Sequence, residues 1–344
     1  MSTIDDALIL LSDTGPEYGS GLSNHGPMLA EALITLNQAD LVMPWLERYK
    51  LSLRPLPPNH NSINERNYHS ALGDISRFRD WQTFFQAELK EKPWKLVLNT
   101  WVDRLAPGFI AAAMHGIIRT GHAARSLTQN ESDNAITELA SGLAYWAARY
   151  QALSETESRP PVVFSSVYDA LQNIELLPEA QRERRELIVE EVADIQNMAR
   201  FPETINILDQ NEEPGTMLSH LTEGFAFMFA CNAEPSGSVI ALVHALTGPY
   251  ALRHMLPYLA VPVAKRALKY AWQASAALYV RYGLGLQVAT NNGAICTETD
   301  LIERAVATDD EHAVKFVEAC ITEHRLNPDP VYLSAAALCC RLLS

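Results

Sequence analysis

Three things are scarce in this sequence: cysteine, basic residues and long apolar runs. The five cysteines never form a CxxC pair, which argues against a cysteine zinc site or an iron–sulfur cluster and fits reduced thiols. Lysine and arginine number 27 against 41 acidic residues, and the net charge of −14 argues against binding to nucleic acid or to anionic membranes. No apolar run reaches the ~20 residues that a membrane helix needs.

The N-terminus lacks the basic segment and apolar core of a secretory signal, so we expect a cytoplasmic protein. The motifs of several common chemistries are missing too, since there is no P-loop, GxSxG or HExxH. Strand signals are weak: no sustained alternation and no hairpin dipeptide occurs between β-branched runs. No 30–50-residue repeat marks a solenoid.

What the chain does have is helical periodicity, and it predicts an all-α protein of about fifteen helices. We predict a single large multi-helix domain over residues 1–344, a non-repeat bundle with the site in its core. Residues 153–161 are the best candidate for an exposed connection, because they combine Ser, Thr, Glu, Arg and two prolines. Residues 179–200 are predicted to form one long charged helix.

Residues 12–24 contain three glycines and a proline and are predicted to form an exposed, turn-rich loop. The loop leads to Pro27, which suits the first turn of a helix, so His25 lies at a helix start that a ligand can reach. The alternative is an ordinary capping histidine.

Residues 108–127 form an apolar, Ala-rich run with unusual polar residues inside it. A regular helix would bring His115, Arg119 and His122 to roughly the same face. Polar groups in such a run are either hydrogen-bonded or bind something, and both readings stay open. The neighbouring alanines and glycines leave room for another helix or a ligand.

The run from Glu311 to Lys315 is the second candidate for chemistry. His312 and Lys315 are three residues apart and face the same way from a helix. The alternative is a solvated surface with a Glu311–Lys315 ion pair. If Lys315 is buried instead, desolvation favours the neutral amine, which can add carbon dioxide and become a carbamate, an oxygen ligand.

Histidine and carboxylate-type ligands with open positions suit non-haem iron. Five histidines lie in apolar or glycine-rich surroundings in different segments, as a site in a bundle core requires: His25, His115, His122, His244 and His312. The contexts of His60, His69, His254 and His324 predict solvated side chains, and His220 is intermediate.

Four blocks of this sequence, in order, resemble the questin oxidase-like family: Asn24-His25-Gly26-Pro27-Met28, His115-Gly116-Ile117-Ile118, Val243-His244-Ala245-Leu246-Thr247 and Asp310-Glu311-His312-Ala313-Val314-Lys315. Members of that family are helical oxygenases of polyketide tailoring, associated with Baeyer–Villiger-type or cleaving oxidation of anthraquinone rings. The resemblance implies a mononuclear non-haem iron with His25, His115 and His312 as ligands and a carboxylated Lys315.

The fourth histidine ligand is left open by the resemblance. Many fungal members have a second histidine four residues after the one matching His115 and a tyrosine three further on, where this chain has Arg119 and His122. Since His115 and His122 would lie ~10 Å apart along a regular helix, we rank His244 above His122.

The resemblance further implies dioxygen and a small aromatic substrate, a polycyclic ketone or quinone, with NADPH as candidate reductant and a homodimer as candidate assembly. Arg119 either orients an anionic group of the substrate or pairs with an acidic residue. Two alternative functions remain: a non-catalytic helical protein that binds a small ligand, and a metal-free NADPH-dependent oxidase. The candidate residues of an apolar substrate wall are Trp101, Phe225, Phe229, Tyr270 and Trp272.

Overall fold

The computed structural model describes residues 4–157, 162–209, 211–234, 238–287 and 296–344, and these are mostly helical, which confirms the all-α prediction. In chain order the α-helices and strands are α1 (Ile4–Leu11), β1 (Thr14–Tyr18), β2 (Leu22–Ser23), α2 (Gly26–Thr35), α3 (Val42–Tyr49), β3 (Leu53–Pro55), α4 (Phe78–Glu91), α5 (Trp94–Leu105), α6 (His115–Gln129), α7 (Asp133–Ala148), α8 (Val167–Gln172), α9 (Ile188–Val192), α10 (Pro214–Asn232), α11 (Ser238–Arg253), α12 (Val261–Tyr282), α13 (Glu298–Ala307), α14 (Glu311–Leu326) and α15 (Pro330–Leu342).

Short 3-10 segments connect or extend several of these helices. They are Ala39–Leu41, Lys50–Ser52, Tyr68–Ala71, Ile75–Arg77, Ala106–Gly108, Glu179–Gln181, Ala193–Asn197, Phe201–Asn206 and Leu256–Tyr258. No helix in the described ranges combines the length and the apolar composition that a membrane crossing requires.

The chain divides into two compact units. Unit 1 contains the residues up to Ala152 together with Ala251–Ala267, and unit 2 contains Leu153–Tyr250 and Leu268–Ser344. The first division falls at the start of the predicted connection, residues 153–161, of which 158–161 lie outside the described residues. Its described part has no helix or strand, and Leu153 within it is buried. That the whole chain acts as one domain stays a prediction.

In unit 1, α6 packs closely against α7 because small residues occupy the contact. A Cβ built on Gly116 would lie 2.6 Å from the Cα of Trp146, and one on Gly142 would lie 3.0 Å from the Cα of Thr120. A Cβ on Gly121 would similarly meet the main-chain oxygen of Ala251 at 2.6 Å. The small residues predicted to make room beside this run therefore make room for other backbone.

Unit 1 also contains a small antiparallel sheet, in the order β2-β1-β3, that the sequence did not predict. The prediction of an exposed loop over residues 12–24 holds for residues 12–13 and 19–20 but was wrong for Gly15, Pro16 and Glu17, which are buried. The cause is the Glu17 carboxylate, which accepts hydrogen bonds from Arg149 at 2.6 and 2.7 Å and from Tyr145 at 3.0 Å. These bonds fasten β1 to α7.

The long helix predicted over residues 179–200 is wrong as well. Only α9 and two short 3-10 segments form there. Arginine side chains in this stretch bind main-chain carbonyls: Arg182 Nε donates to Leu177 O at 2.8 Å, and Arg185 Nη1 donates to Glu190 O at 2.6 Å. Such side-chain bonds give the backbone an alternative to the helical pattern.

In unit 2, α15 packs against α10 and α14, and acidic or hydroxyl side chains fix where several helices begin. Thr297 and Asp300 form a capping box at α13, Asp310 caps α14 and Asp329 caps α15. Phe229 and Phe316 pack with ring centroids 4.5 Å apart. None of the five cysteines forms a disulfide in this structure.

The close contact at Gly116 gives a test of the α6–α7 packing. We expect Gly116→Ala to lower the free energy of unfolding by roughly 1–3 kcal/mol, because the new methyl forces the helices apart. The gain in helix propensity, ~1 kcal/mol, is too small to offset this. Gln129→Ala, at the exposed end of the same helix, is the control and should shift stability by less than ~0.5 kcal/mol. A Gly116→Ala protein as stable as wild type in denaturant unfolding contradicts the packing.

Candidate functional site

His25 is held at the start of α2 by its neighbours in the chain. It occupies the N-cap position, as predicted, and is 3% exposed. The Asn24 side chain accepts a hydrogen bond from the Gly26 N–H at 3.0 Å, and the His25 N–H donates to the Tyr49 hydroxyl at 2.9 Å. These two hydrogen bonds fix the main chain at His25, from which the imidazole projects.

His115 begins α6 directly after a left-handed stretch of backbone. Ala112, Ala113 and Met114 all have positive φ, at 50°, 53° and 70°, which is unfavourable for residues with a Cβ. The turn brings the Ala112 carbonyl within 2.6 Å of the His115 Nδ1. Because Nδ1 donates to that carbonyl, the neutral ring keeps its lone pair on Nε2.

Within the apolar run of residues 108–127, the helix therefore begins only at His115, after this left-handed turn. Its consequence is a pair of imidazoles in unit 1: the rings of His25 and His115 have centroids 4.6 Å apart and are nearly perpendicular, at 74°. Of the residues singled out in unit 1, these two are brought together.

His122 and Arg119 point to other partners. His122 Nδ1 lies 2.7 Å from the Glu31 carboxylate, which also accepts from Arg125 Nε at 2.6 Å. Burial alone would raise the pKa of Glu31, but the Arg125 charge and the bond from His122 hold it well below its usual value. Gly121 does not break α6, so nothing turns His122 back toward His115.

Arg119 forms the ion pair that was one of its two expected roles. Its Nε and Nη2 donate to the two carboxylate oxygens of Glu138 at 2.6 and 2.8 Å, and both side chains are buried. A bidentate pair of this kind uses the planar fork of the guanidinium. A catalytic role for Arg119 stays a prediction.

His254 is a residue that the sequence placed wrongly. It was expected to be solvated, yet burial and the charge of Arg125 hold its pKa well below the usual histidine value. It lies near Glu31 and His122 in unit 1, where four ionisable side chains share one buried region. No local pattern signals this, because α2, α6 and the end of α11 supply the members.

Unit 2 holds a second pair of imidazoles, on α11 and α14. The His244 and His312 rings have centroids 5.5 Å apart. His244 Nδ1 lies 2.6 Å from the Ile240 carbonyl, and His312 Nδ1 lies 3.1 Å from the Asp310 carboxylate. Both rings are thus held through Nδ1, which leaves Nε2 as the donor to a metal.

Lys315 lies near this pair and is 4% exposed, so the solvated-surface alternative is wrong. Burial lowers the pKa of Lys315 to about 8, although the charges of Glu311 and Asp310 act to raise it. The pKa of His244 is held well below its usual value by burial and then by the charges of His312 and Lys315. The region favours neutral nitrogen bases, which are the forms that bind metals or carbon dioxide.

The aromatic side chains predicted to line a substrate wall belong to the cores of both units. In unit 1, Trp101 is fully buried in an aromatic cluster, 4.9 Å from Phe85 between ring centroids. In unit 2, Phe225 and Trp272 have centroids 5.9 Å apart, and the Tyr270 hydroxyl donates to Glu155 at 3.0 Å. Their role against a substrate stays a prediction.

Comparison with known proteins identifies one family. The sequence profile described as Questin oxidase-like matches residues 29–320, most of the chain. A search of curated proteins finds no match.

The buried amine gives a prediction for stability against pH. The pKa of Lys315 in the folded protein, about 8, lies below the unfolded value near 10.5, so between these pH values the unfolded chain binds more protons. Stability therefore rises with pH across that window, and below pH 8 the full penalty, on the order of 1–3 kcal/mol, is present. We expect Lys315→Met to raise the free energy of unfolding at pH 7 and to flatten the profile between pH 8 and 10.5.

Urea unfolding of metal-free protein in carbon-dioxide-depleted buffer, repeated from pH 6.5 to 10.5, measures this. The exposed Lys90 is the matched control, and Lys90→Met should leave both the level and the slope unchanged. A Lys315→Met protein with the wild-type slope contradicts a dry, neutral amine.

Proposed function

The chain belongs to the Questin oxidase-like family, a family named for an oxidase, and from this we propose a metal-dependent oxygenase that acts on an aromatic or polycyclic ketone or quinone. The observation that carries the proposal is in unit 2, where two imidazoles fixed through Nδ1 lie near a buried lysine with a pKa of about 8. Packing alone does not account for such a lysine, because burying an ammonium group opposes folding.

The proposed ligand set is the one that the family resemblance implies, with His25, His115, His312 and a carboxylated Lys315, and with His244 as the fourth histidine. The chemistry of these donors suits a mononuclear non-haem iron, which favours imidazole nitrogen together with an anionic oxygen. Iron held there would supply dioxygen activation. His244 is proposed over His122, because the Nδ1 of His122 already binds the buried Glu31–Arg125 pair.

Lys315 supplies the anionic oxygen once it is carboxylated. The lone pair of its neutral amine forms an N–C bond to carbon dioxide while one C=O π bond opens onto oxygen, and the nitrogen passes one proton to solvent water, so that a carbamate anion results. Burial assists the first step by disfavouring the ammonium form. The cation balances the new negative charge in a region from which water is largely excluded.

The protein's other contribution is to hold these groups in place before substrate arrives. Local acceptors fix the rings of His115, His244 and His312, so no reorganisation is needed when a ligand binds. We propose dioxygen and a hydroxylated anthraquinone as substrates and NADPH as the electron source. Oxygen insertion next to the ring carbonyl, or ring cleavage after it, is the proposed outcome.

Metal analysis tests the ligand set. Protein produced without a histidine tag and loaded anaerobically with ferrous iron should hold about one iron per chain, as a mononuclear site requires. His115→Ala and His312→Ala should each lose that iron while remaining folded by circular dichroism. The controls are the exposed His60 and His220, whose alanine variants should keep it. Iron retained by either ligand variant contradicts a single shared ion.

Measuring oxygen uptake with a hydroxyanthraquinone and NADPH then distinguishes the proposed oxygenase from the two alternative functions. Uptake that a chelator abolishes, with one oxygen atom added to the product, supports the proposal. Uptake that requires NADPH and survives chelation supports a metal-free oxidase. Metal-free protein that binds the quinone without uptake supports a ligand-binding protein. The last two results both reject the oxygenase.

The carbamate has its own test, because it is lost when the protein is denatured. We expect 13C NMR of folded, metal-loaded protein in 13C-bicarbonate to show one carbamate resonance that Lys315→Met removes and the exposed control Lys90→Met keeps. Its intensity should fall below pH 8, because the ammonium form of Lys315 takes over there. Loaded protein without that resonance contradicts Lys315 as a ligand.

A further inference from the structure

Asp310 makes two hydrogen bonds to His312 with one carboxylate oxygen. Its Oδ1 accepts the backbone N–H of His312 at 2.7 Å and lies 3.1 Å from the ring Nδ1. The first bond caps α14 and the second fixes the imidazole. A single oxygen thus sets both where the helix begins and how the first ring on it is oriented.

This anchor differs from those of the neighbouring candidate ligands. His115 and His244 hold Nδ1 against main-chain carbonyls, of Ala112 and Ile240, both at 2.6 Å. His312 instead holds Nδ1 against a carboxylate. A hydrogen bond to an ionised acceptor is stronger than one to a neutral carbonyl, and it increases the electron density that the ring offers at its other nitrogen.

A second carboxylate lies on the same side of the ring. Glu311 Oε1 is 4.0 Å from His312 Nδ1, and the side chains of Glu311 and His312 are 16% and 13% exposed. Negative charge is therefore gathered at Nδ1, which stabilises the Nδ1–H form of the imidazole and leaves the lone pair on Nε2. A side chain that served only to cap α14 would not need to contact the ring.

We propose that Asp310 is a positioning residue that, through its charged hydrogen bond to Nδ1, fixes the ring of His312 and makes its Nε2 a stronger metal donor than the Nε2 of His115 or His244. The inference rests on the proposed function, because it assigns Asp310 a role toward a metal bound by His312. In this proposal Asp310 acts through the ring of His312 and is not one of the metal ligands.

Cobalt(II) titration of the full chain tests the inference, since the visible bands of cobalt report the strength of its nitrogen ligands. Asp310→Asn keeps an oxygen for both hydrogen bonds and removes the charge, so we expect affinity to fall about 10-fold and the bands to shift. Asp310→Ala removes cap and anchor together, with an expected loss approaching 100-fold.

The matched control is Asp329, which caps α15 through the same kind of bond, Oδ1 to the N–H of Val331 at 2.8 Å. Asp329→Ala should lower the urea midpoint of unfolding about as much as Asp310→Ala and leave cobalt affinity unchanged. Equal losses of cobalt affinity in the two alanine variants would show that Asp310 acts only by capping α14, and would overturn the proposal.

A second readout needs no metal. Nitrogen-15 NMR of the metal-free protein should show the His312 ring protonated at Nδ1, and Asp310→Ala should yield a mixture of the two tautomers. Wild type that binds neither cobalt nor iron overturns the proposed metal site and this inference with it. Wild type that binds cobalt, with both Asp310 variants unchanged in affinity and spectrum, overturns the inference alone.

Discussion

A hydrogen bond from a ring Nδ1–H to a nearby acceptor is the interaction on which the candidate site depends. For His115, His244 and His312 the acceptor lies only two to four residues earlier in the chain: Ala112, Ile240 and Asp310. The tautomer of each ring is therefore set by local backbone, before distant segments pack. An imidazole fixed in this way offers Nε2 without losing rotational freedom at the moment of binding.

His122 shows the contrast. Its acceptor, Glu31, is 91 residues away and is bound by Arg125 as well, so that ring is part of a buried ion-pair network. Removing one member of such a network leaves a buried charge without its partner, which is unfavourable. His122 is therefore held in place by its role in the network. Histidines in similar sequence contexts therefore differ in two respects: how far along the chain the partner of Nδ1 lies, and whether that partner carries a charge.

The parts of this architecture that could be predicted are those with local causes. Helical periodicity gave the fold class, Pro27 marked the start of α2 at His25, and acidic residues marked the start of α14. The parts that could not be predicted depend on distant partners. The Glu17–Arg149 bonds that bury β1 join residues that are 132 positions apart. The positive φ at Ala112 and Ala113 could not be predicted either, because alanine rarely adopts that conformation. Arg119 was open between two roles until Glu138, 19 residues on, was seen beside it.

Two places where the described part of the chain departs from what folding favours fall at blocks that carry the family resemblance. Three successive residues with a Cβ in left-handed backbone precede His115, and a buried amine follows His312 on the same face of α14. Each opposes stability: the first by roughly 1–3 kcal/mol per strained residue, the second by desolvation of a charge. Neither improves packing, since a glycine at the turn and a methionine at the lysine would be easier to fold. The proposed function would account for both features, because the left-handed turn would aim an imidazole and the burial of the lysine would keep a base neutral.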